Sequence, residues 1–395
     1  MDFTLSPELA TYVNELRSWS KQVGRLHARE SDTNHALPKN ANKLLATCPV
    51  PLSGDVLAGN EFPNFPDGAG IRGVVWHQSI AFGDIWLFEA LARGLSHHVV
   101  RAIGTPEQIA RWYDPIIEYG TCTAFGMSEP GAGSDTSRIA TTATRNGDRW
   151  VINGTKMFCS LGAIAEYVLV FALTNRQVGR DSIRAFVVPR DWPGITVVKA
   201  AEDKLGFRSW LTTQLTFEDC AVPEDHMLGW SAGSGVEDAP NGLDAGLAGL
   251  NNNRPNVSAM GVGIAEAALD ETRGEIRSRR LGFTPQRLRF IEDELERMQK
   301  TLDRCTVVNM WAQSVRDDLN VDNRREASLA KALGPPNADR VIRRCMQLLG
   351  PDGASENLLL EKWYRDIKIL DIFEGTGQVL RTVVSRQLFG SRRGA

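Results

Sequence analysis

Cysteine is sparse in this chain. The six copies (Cys48, Cys122, Cys159, Cys220, Cys305 and Cys345) are scattered, and no two stand at a CxxC spacing. That argues against a zinc site or a dense disulfide framework and suits a reducing compartment. No window approaches the roughly 18 consecutive apolar residues of a membrane span. The basic residues form no long block, and a net charge of −3 offers no footprint for a nucleic acid. The opening MDFTLSPELATYV reads neither as a secretory signal nor as a basic transit peptide. GxGxxG after a strand and GxxxxGK(S/T) are both missing, which counts against a Rossmann or P-loop nucleotide site. No repeat or low-complexity tract is visible. The expectation is a soluble cytoplasmic protein with neither a nucleic-acid nor a membrane partner. Its 395 residues, 42% hydrophobic and 24% charged, suffice for two or three domains.

Three textures follow one another along the chain. Residues 1–30 carry helical spacing (Leu9, Tyr12, Val13, Leu16), and 31–70 read as loop, with Pro38, Pro49, Pro51, Pro63 and Pro66. Val74 to Ile103 is long and largely apolar, as expected of buried helix. Thr105-Pro-Glu-Gln predicts a helix start, with Thr105 as N-cap, Pro106 first and Gln108 third. From residue 121 the segments shorten. Thr141–Arg145, Asn146-Gly147-Asp148 and Arg149–Ile152 predict a hairpin, and Asn153-Gly154 a second turn. Tyr167–Ala172, Arg184–Val188, Gly194–Val198 and Thr213–Glu218 read as strands, and this region ends near Val222-Pro223. Residues 232–249 are Gly- and Ala-rich, a loop leading into helix. Gly261–Arg279, Glu292–Val315 and Arg325–Leu349 predict helices, the last interrupted by Gly334-Pro-Pro. After a turn at Gly350–Gly353, Trp363–Phe373 and Val379–Leu388 close the chain. The expected domains are helical over 1–120, β over 121–232 and helical over 233–395.

Three segments carry candidate chemistry. In Ala124-Phe-Gly-Met-Ser-Glu-Pro-Gly-Ala-Gly-Ser-Asp135, glycines allow close backbone approach to a ligand and Ser128 and Ser134 offer hydroxyls. By itself such a Gly-rich stretch is more often an ordinary interdomain loop. In Gly154-Thr-Lys-Met-Phe-Cys-Ser160, an aromatic followed by a hydroxyl could stack on a flat ring and bond its edge, although Phe158 alone reads as core. In Asp371-Ile-Phe-Glu-Gly-Thr-Gly-Gln378, a carboxylate stands among apolar residues at the mouth of a helix. Such surroundings raise its pKa and make it a better base near neutrality, with helix capping as the competing role.

Taken together and in this order, EPGAGSD (129–135), KMFCS (156–160), QLLG with Asp352-Gly353, Arg365-Asp366 and FEGTGQ (373–378) resemble the acyl-CoA dehydrogenase family. The resemblance runs from about residue 71 to the end. It implies an all-α N-terminal domain, a middle β-barrel or sandwich domain and a C-terminal four-helix bundle, with FAD bound without a Rossmann domain. It places Phe125, Met127 and Ser128 against the flavin, Phe158 where a tryptophan usually packs, and Ser160 near N5. Arg279, with Arg280 as the alternative, matches the arginine reaching the FAD pyrophosphate of a neighbouring subunit. Gln347, Leu348 and Gly350 match the adenine contacts, and Thr376 and Gln378 further FAD contacts. Ser134, Asn251, Arg254 and Gly375 fall where the family meets acyl-CoA.

The chemistry so implied is α,β-dehydrogenation of an acyl-CoA thioester, with Glu374 taking the α-proton and flavin N5 the β-hydride. An alternative position for the base in this family falls here on Asn253, which cannot act as one. An electron-transfer flavoprotein is the expected acceptor and a homodimer or homotetramer the expected assembly. The alternatives are an acyl group tethered to a carrier protein, reoxidation by oxygen, or a non-catalytic partner subunit, which Glu374 argues against. Trp86 and Phe88 lie near the acyl cavity by resemblance, and the blander reading is that they fill the core. Likewise His97, His98, Cys122 and Cys159 read as buried structural groups.

Overall fold

In the computed structural model, which describes residues 2–52, 65–231, 233 and 235–390, the first helix is α1 (Pro7–Asn34). Ser6 caps it by accepting from Leu9 N, and Pro7 presets φ in the first turn. The helix passes residue 30 and stops at His35, whose φ of 51° is left-handed. The short α2 (Ala41–Leu45) stands in the stretch expected to be loop, while Pro63 lies outside the described residues. The apolar run read as one helix is three: α3 (Ala69–Gly83), α4 (Ile85–Leu91) and α5 (Ser96–Ile103). The first break has a polar cause. Asp84 is extended, accepts from Trp86 N to start α4, and bonds the buried Lys362 ammonium at 2.9 Å. α6 (Pro106–Trp112) starts with the predicted capping box, Thr105 and Gln108 each accepting from the other's backbone. Such a cap is worth about 1 kcal/mol. α7 (Asp114–Tyr119) follows.

The strands are β1 (Thr123–Gly126), β2 (Thr142–Asn146), β3 (Arg149–Ser160), β4 (Tyr167–Leu173), β5 (Ile183–Pro189), β6 (Ile195–Lys199) and β7 (Thr212–Pro223). The barrel-or-sandwich domain is realised as one curled sheet in the order β1-β4-β2-β3-β7-β6, with β5 also on β4. The predicted hairpin pairs Arg145 with Trp150 and Asn146 with Arg149. Asn153-Gly154 is not a turn: β3 runs through it, and its register on β7 shifts between Ile152 and Gly154. A Cβ on Gly154 would lie 2.4 Å from Thr141 Oγ1, so the bulge exists to admit that close approach. β4 and β5 are buried on both faces. Val168, Val170, Phe186 and Val188 enter one core, and Leu169, Phe171, Ala185 and Val187 the other.

α8 (Gly242–Ser278), α9 (Pro285–Asp317) and α10 (Arg324–Leu349) pack on one another; α12 (Gly377–Phe389) lies along α10, and α11 (Leu360–Leu370) crosses α8 and α10. Gly334-Pro-Pro does not interrupt α10. A Cβ on Gly334 would lie 1.9 Å from Ser258 Oγ on α8, so the helices are held too close for a break. Arg381 donates to Ala332 O at 3.1 Å, the carbonyl that an N–H at position 336 would have bonded. Lys362 of α11 bonds Asp84 at 2.9 Å and Asp366 at 2.7 Å, and Asp366 accepts from Phe207 N at 2.8 Å. This buried junction ties all three regions together.

Candidate active site

The segment joining α11 to α12 has two successive left-handed residues, Glu374 at φ 57° and Gly375 at φ 100°. A non-glycine residue there costs on the order of 1–3 kcal/mol. Two buried cations offset that cost. Arg254 Nε donates to Glu374 O at 2.8 Å, and Lys331 Nζ donates to Gly375 O at 3.1 Å. Each such bond contributes about 1.5–3 kcal/mol. Thr376, expected to touch a cofactor, caps α12 by accepting from Val379 N.

The turn aims the Glu374 carboxyl inward. Oε1 accepts from Asn253 Nδ2 at 2.8 Å, and Oε2 is buried with no partner among the described residues. Desolvation pushes the pKa up to about 7, while Asn253, Lys331 and Arg254 hold it back. Burial pushes Lys331 down to about 8 against the pull of Glu374 and Asp371. A carboxyl poised near neutrality, with one oxygen free, is a competent proton acceptor.

Sequence reasoning missed Lys331. Its signal was faint: a lysine on the α10 face formed by Ala327, Ser328, Ala330 and Gly334, all of them buried. Asn253 entered only as a residue that cannot be a base, and the structure makes it the donor to the base. Asn251 and Arg254, expected at the substrate, are 6% and 7% exposed. Arg254 is engaged with Glu374 O, Asn251 Oδ1 and Ser328 Oγ, so its guanidinium supports the turn.

A second group forms where β1 and β3 meet. Met157 N donates to Ser128 O at 2.9 Å, and the buried Lys156 bonds Glu129 at 2.7 Å, so the two predicted segments lie side by side. Phe125 is half-buried on Phe171, ring centroids 4.9 Å apart, and Met127 is buried. Phe158 has φ 56° and is 57% exposed, which overturns the core alternative for it. Ser160 accepts from Trp210 Nε1 at 2.8 Å. Trp210 stacks on Phe88 at 6.1 Å, and Phe207 meets Phe373 at 6.3 Å. The loop Phe207–Trp210, absent from the sequence reading, therefore joins Ser160 to the residue beside Glu374. Trp86 fills the core with its Nε1 on Gly24 O, and Phe88 borders Trp210.

Other predicted residues take no part in the hydrogen bonds that hold Glu374 and its turn. Arg279 caps α8, exposed, and pairs with Glu275 and Asp352. Gln347 accepts from Arg344 at 3.1 Å, Leu348 is buried in the bundle core, and Gly350 has φ 64°. Lys331 and Gln347 share α10, about 24 Å apart at 1.5 Å per residue. Gln378 and Ser134 are exposed. The His97 and His98 rings lie tilted against each other, centroids 3.9 Å apart, and burial depresses the His98 pKa. Burial raises the Cys122 thiol and pushes Cys159 up to about 12, so both stay protonated as core thiols do.

Residues 124–220 match the family model described as acyl-CoA dehydrogenase, middle domain, and 241–389 match its C-terminal domain. The short-chain specific acyl-CoA dehydrogenase of Bos taurus mitochondria is 37% identical over 73% of this chain and 68% of its own. The chain belongs to the acyl-CoA dehydrogenase family. A short-chain specific acyl-CoA dehydrogenase of Clostridium acetobutylicum is 31% identical over 72% of this chain and 73% of its own. The structure of butyryl-CoA dehydrogenase from Megasphaera elsdenii superimposes with a TM-score of 0.86 at 27% identity, covering 98% of this chain and all of that one. This acyl-CoA dehydrogenase fold accounts for the helical, β, helical order. Among the described residues no helix is long and apolar enough to cross a membrane.

Proposed function

We propose that this protein is an FAD-dependent acyl-CoA dehydrogenase in which Glu374 removes the α-proton of an acyl thioester. The observation that carries this reading is the buried Glu374 carboxyl, pushed up to about 7, with Asn253 on one oxygen and no partner on the other among the described residues. A thioester α-proton is weakly acidic, so the enolate oxygen needs a donor as charge develops. We assign that role to the Glu374 N–H, held in place by the turn that Arg254 and Lys331 clamp. The same carboxyl disfavours a non-catalytic partner subunit.

The residues present fit FAD. Phe158 offers a bare ring and the adjoining segments bring Ser128 and Ser160 beside it. Phe125, Met127, Ser128, Phe158 and Ser160 would hold the ring system. Gln347, Leu348 and Gly350 would hold the adenine half, Arg279 would reach the pyrophosphate of an FAD in a neighbouring subunit, and Thr376 and Gln378 would add further contacts. When bound, FAD supplies the acceptor for the β-hydrogen. Ser134 and Gly375 are assigned to the thioester, and Asn251 and Arg254 serve it by supporting the turn. We further assign electron transfer to an electron-transfer flavoprotein, a homodimeric or homotetrameric assembly, a cytoplasmic setting, and domain limits at 1–120, 121–232 and 233–395. Acyl groups on a carrier protein are the variant substrate.

The test is Glu374→Gln. The holoprotein should stay yellow and bind acyl-CoA, yet lose anaerobic bleaching of the flavin by more than 1000-fold, on the order of the loss expected for a general base. Bleaching at near-normal rate would remove Glu374 as the base.

A further inference from the structure

The loop Phe207–Trp210 touches both halves of the site, and between its two aromatic contacts stands Ser209. Its hydroxyl donates to Glu89 Oε2 on α4, and Ser31 of α1 donates to Ser209 at 2.9 Å. Glu89 is 4% exposed, and its Oε1 has no partner among the described residues. The nearby cations are committed elsewhere. Lys362 bonds Asp84 and Asp366, and Lys204 bonds the carbonyls of Glu202 and Trp210. A buried oxygen left unpaired is disfavoured by about 1–3 kcal/mol, and proton abstraction by Glu374 makes no use of it.

The residue beside Glu89 strengthens the case. Phe88 stacks on Trp210 and lies 5.8 Å from the His77 ring. His77 Nδ1 meets Gly73 O at 2.8 Å, and a carbonyl can only accept, so Nδ1 carries the proton. Burial depresses the His77 pKa to about 4, so the ring is neutral and Nε2 is a bare acceptor. Nε2 is also buried without a partner among the described residues. The Phe88–Trp210 pair is thus flanked from α3 and from α4 by unpaired groups that a hydrogen-bond donor would satisfy.

We infer that Glu89 is a specificity-determining residue that receives a hydrogen-bond donor, an ammonium or a hydroxyl, carried on the acyl chain of the thioester. The inference rests on the dehydrogenase reading and adds the substrate class to it. Aromatic walls accept the carbon skeleton, and the carboxyl selects a polar end group over a methyl. Burial pushes the Glu89 pKa up to about 8, so an ammonium draws it to the carboxylate while a hydroxyl bonds either form.

Three isosteric thioesters test this: butyryl-CoA, 3-hydroxypropionyl-CoA and β-alanyl-CoA, which end in methyl, hydroxyl and ammonium. Their Kd values are read from the flavin absorbance change in the FAD-loaded Glu374→Gln protein, which binds without turnover. At least one polar thioester should bind 10-fold or more tightly than butyryl-CoA, and adding Glu89→Leu should reverse that order. Glu89→Gln, the milder variant, should retain the hydroxyl and lose the ammonium, which distinguishes the two donors. Butyryl-CoA binding as tightly as both polar thioesters, or an unchanged ratio in either Glu89 variant, overturns the inference. A protein whose flavin spectrum none of the three perturbs overturns this inference, whereas a protein that holds no FAD refutes the dehydrogenase reading itself.

Discussion

Lys331→Met removes one of the two buried cations at the Glu374 turn and should move the pH profile rather than merely lower activity. Glu374 must be deprotonated to act, so kcat/KM rises with pH through its pKa of about 7. The charges around it are Lys331 on α10, Arg254 on α8 and Asp371 on its own segment. Two charges about 4 Å apart at an effective dielectric near 20 interact by about 4 kcal/mol, and more widely spaced ones by less. About 1.4 kcal/mol corresponds to one pKa unit. Lys331 itself titrates near 8, which weakens its hold as pH rises. The acidic limb should therefore climb by about 1–2 units, against a full range set by those two figures. Lys331→Arg keeps the charge and should restore most of the shift. Anaerobic stopped-flow bleaching from pH 5.5 to 9.5 is the assay. A limb that stays where it was, with activity down equally at every pH, would mean that Lys331 only braces the Gly375 carbonyl.

Glu374 also links pH to stability. Its folded pKa lies above the ordinary 4.5, so it favours the fold below that value and loses this contribution as pH rises through about 7. Glu374→Gln should accordingly melt higher than the unchanged protein at pH 8.5, with the gap closing by pH 5; a gap constant across that range contradicts the assignment. Phe158→Asn keeps a residue that tolerates φ 56° but removes the exposed ring. Flavin-to-protein ratio should fall several-fold while the unfolding free energy in urea stays within about 0.5 kcal/mol, and full flavin retention would count against the ring's role. Lys362→Met leaves the Asp84 and Asp366 carboxylates buried without a counter-charge. Urea unfolding should show a loss of roughly 3–5 kcal/mol, and a loss below about 1 kcal/mol would show the junction to be inessential.

Local signals were legible wherever one or two residues decide the outcome. Thr105 with Gln108 is a capping box, and Asn146-Gly147 turns a hairpin. Misreadings arose where a distant residue intervenes. Asn153-Gly154 looks like a turn until Thr141 is seen against the glycine. Gly334-Pro-Pro looks like a break until Arg381 is found on the stranded carbonyl. The run from Val74 reads as one helix because nothing in it announces that Asp84 will meet Lys362, 278 positions away.

From the order of its residues alone this chain declared a helical, β, helical architecture, the motif-bearing segments, and a carboxylate in apolar company before a helix. Those features depend on composition and spacing over a few neighbouring positions. The environment of Glu374 belongs to the tertiary structure. Asn253, Arg254 and Lys331 come from two other helices, and only packing brings them to one turn. A carboxyl's affinity for its proton is set by what surrounds it within a few ångströms, and burial and long-range contacts are properties of the folded chain.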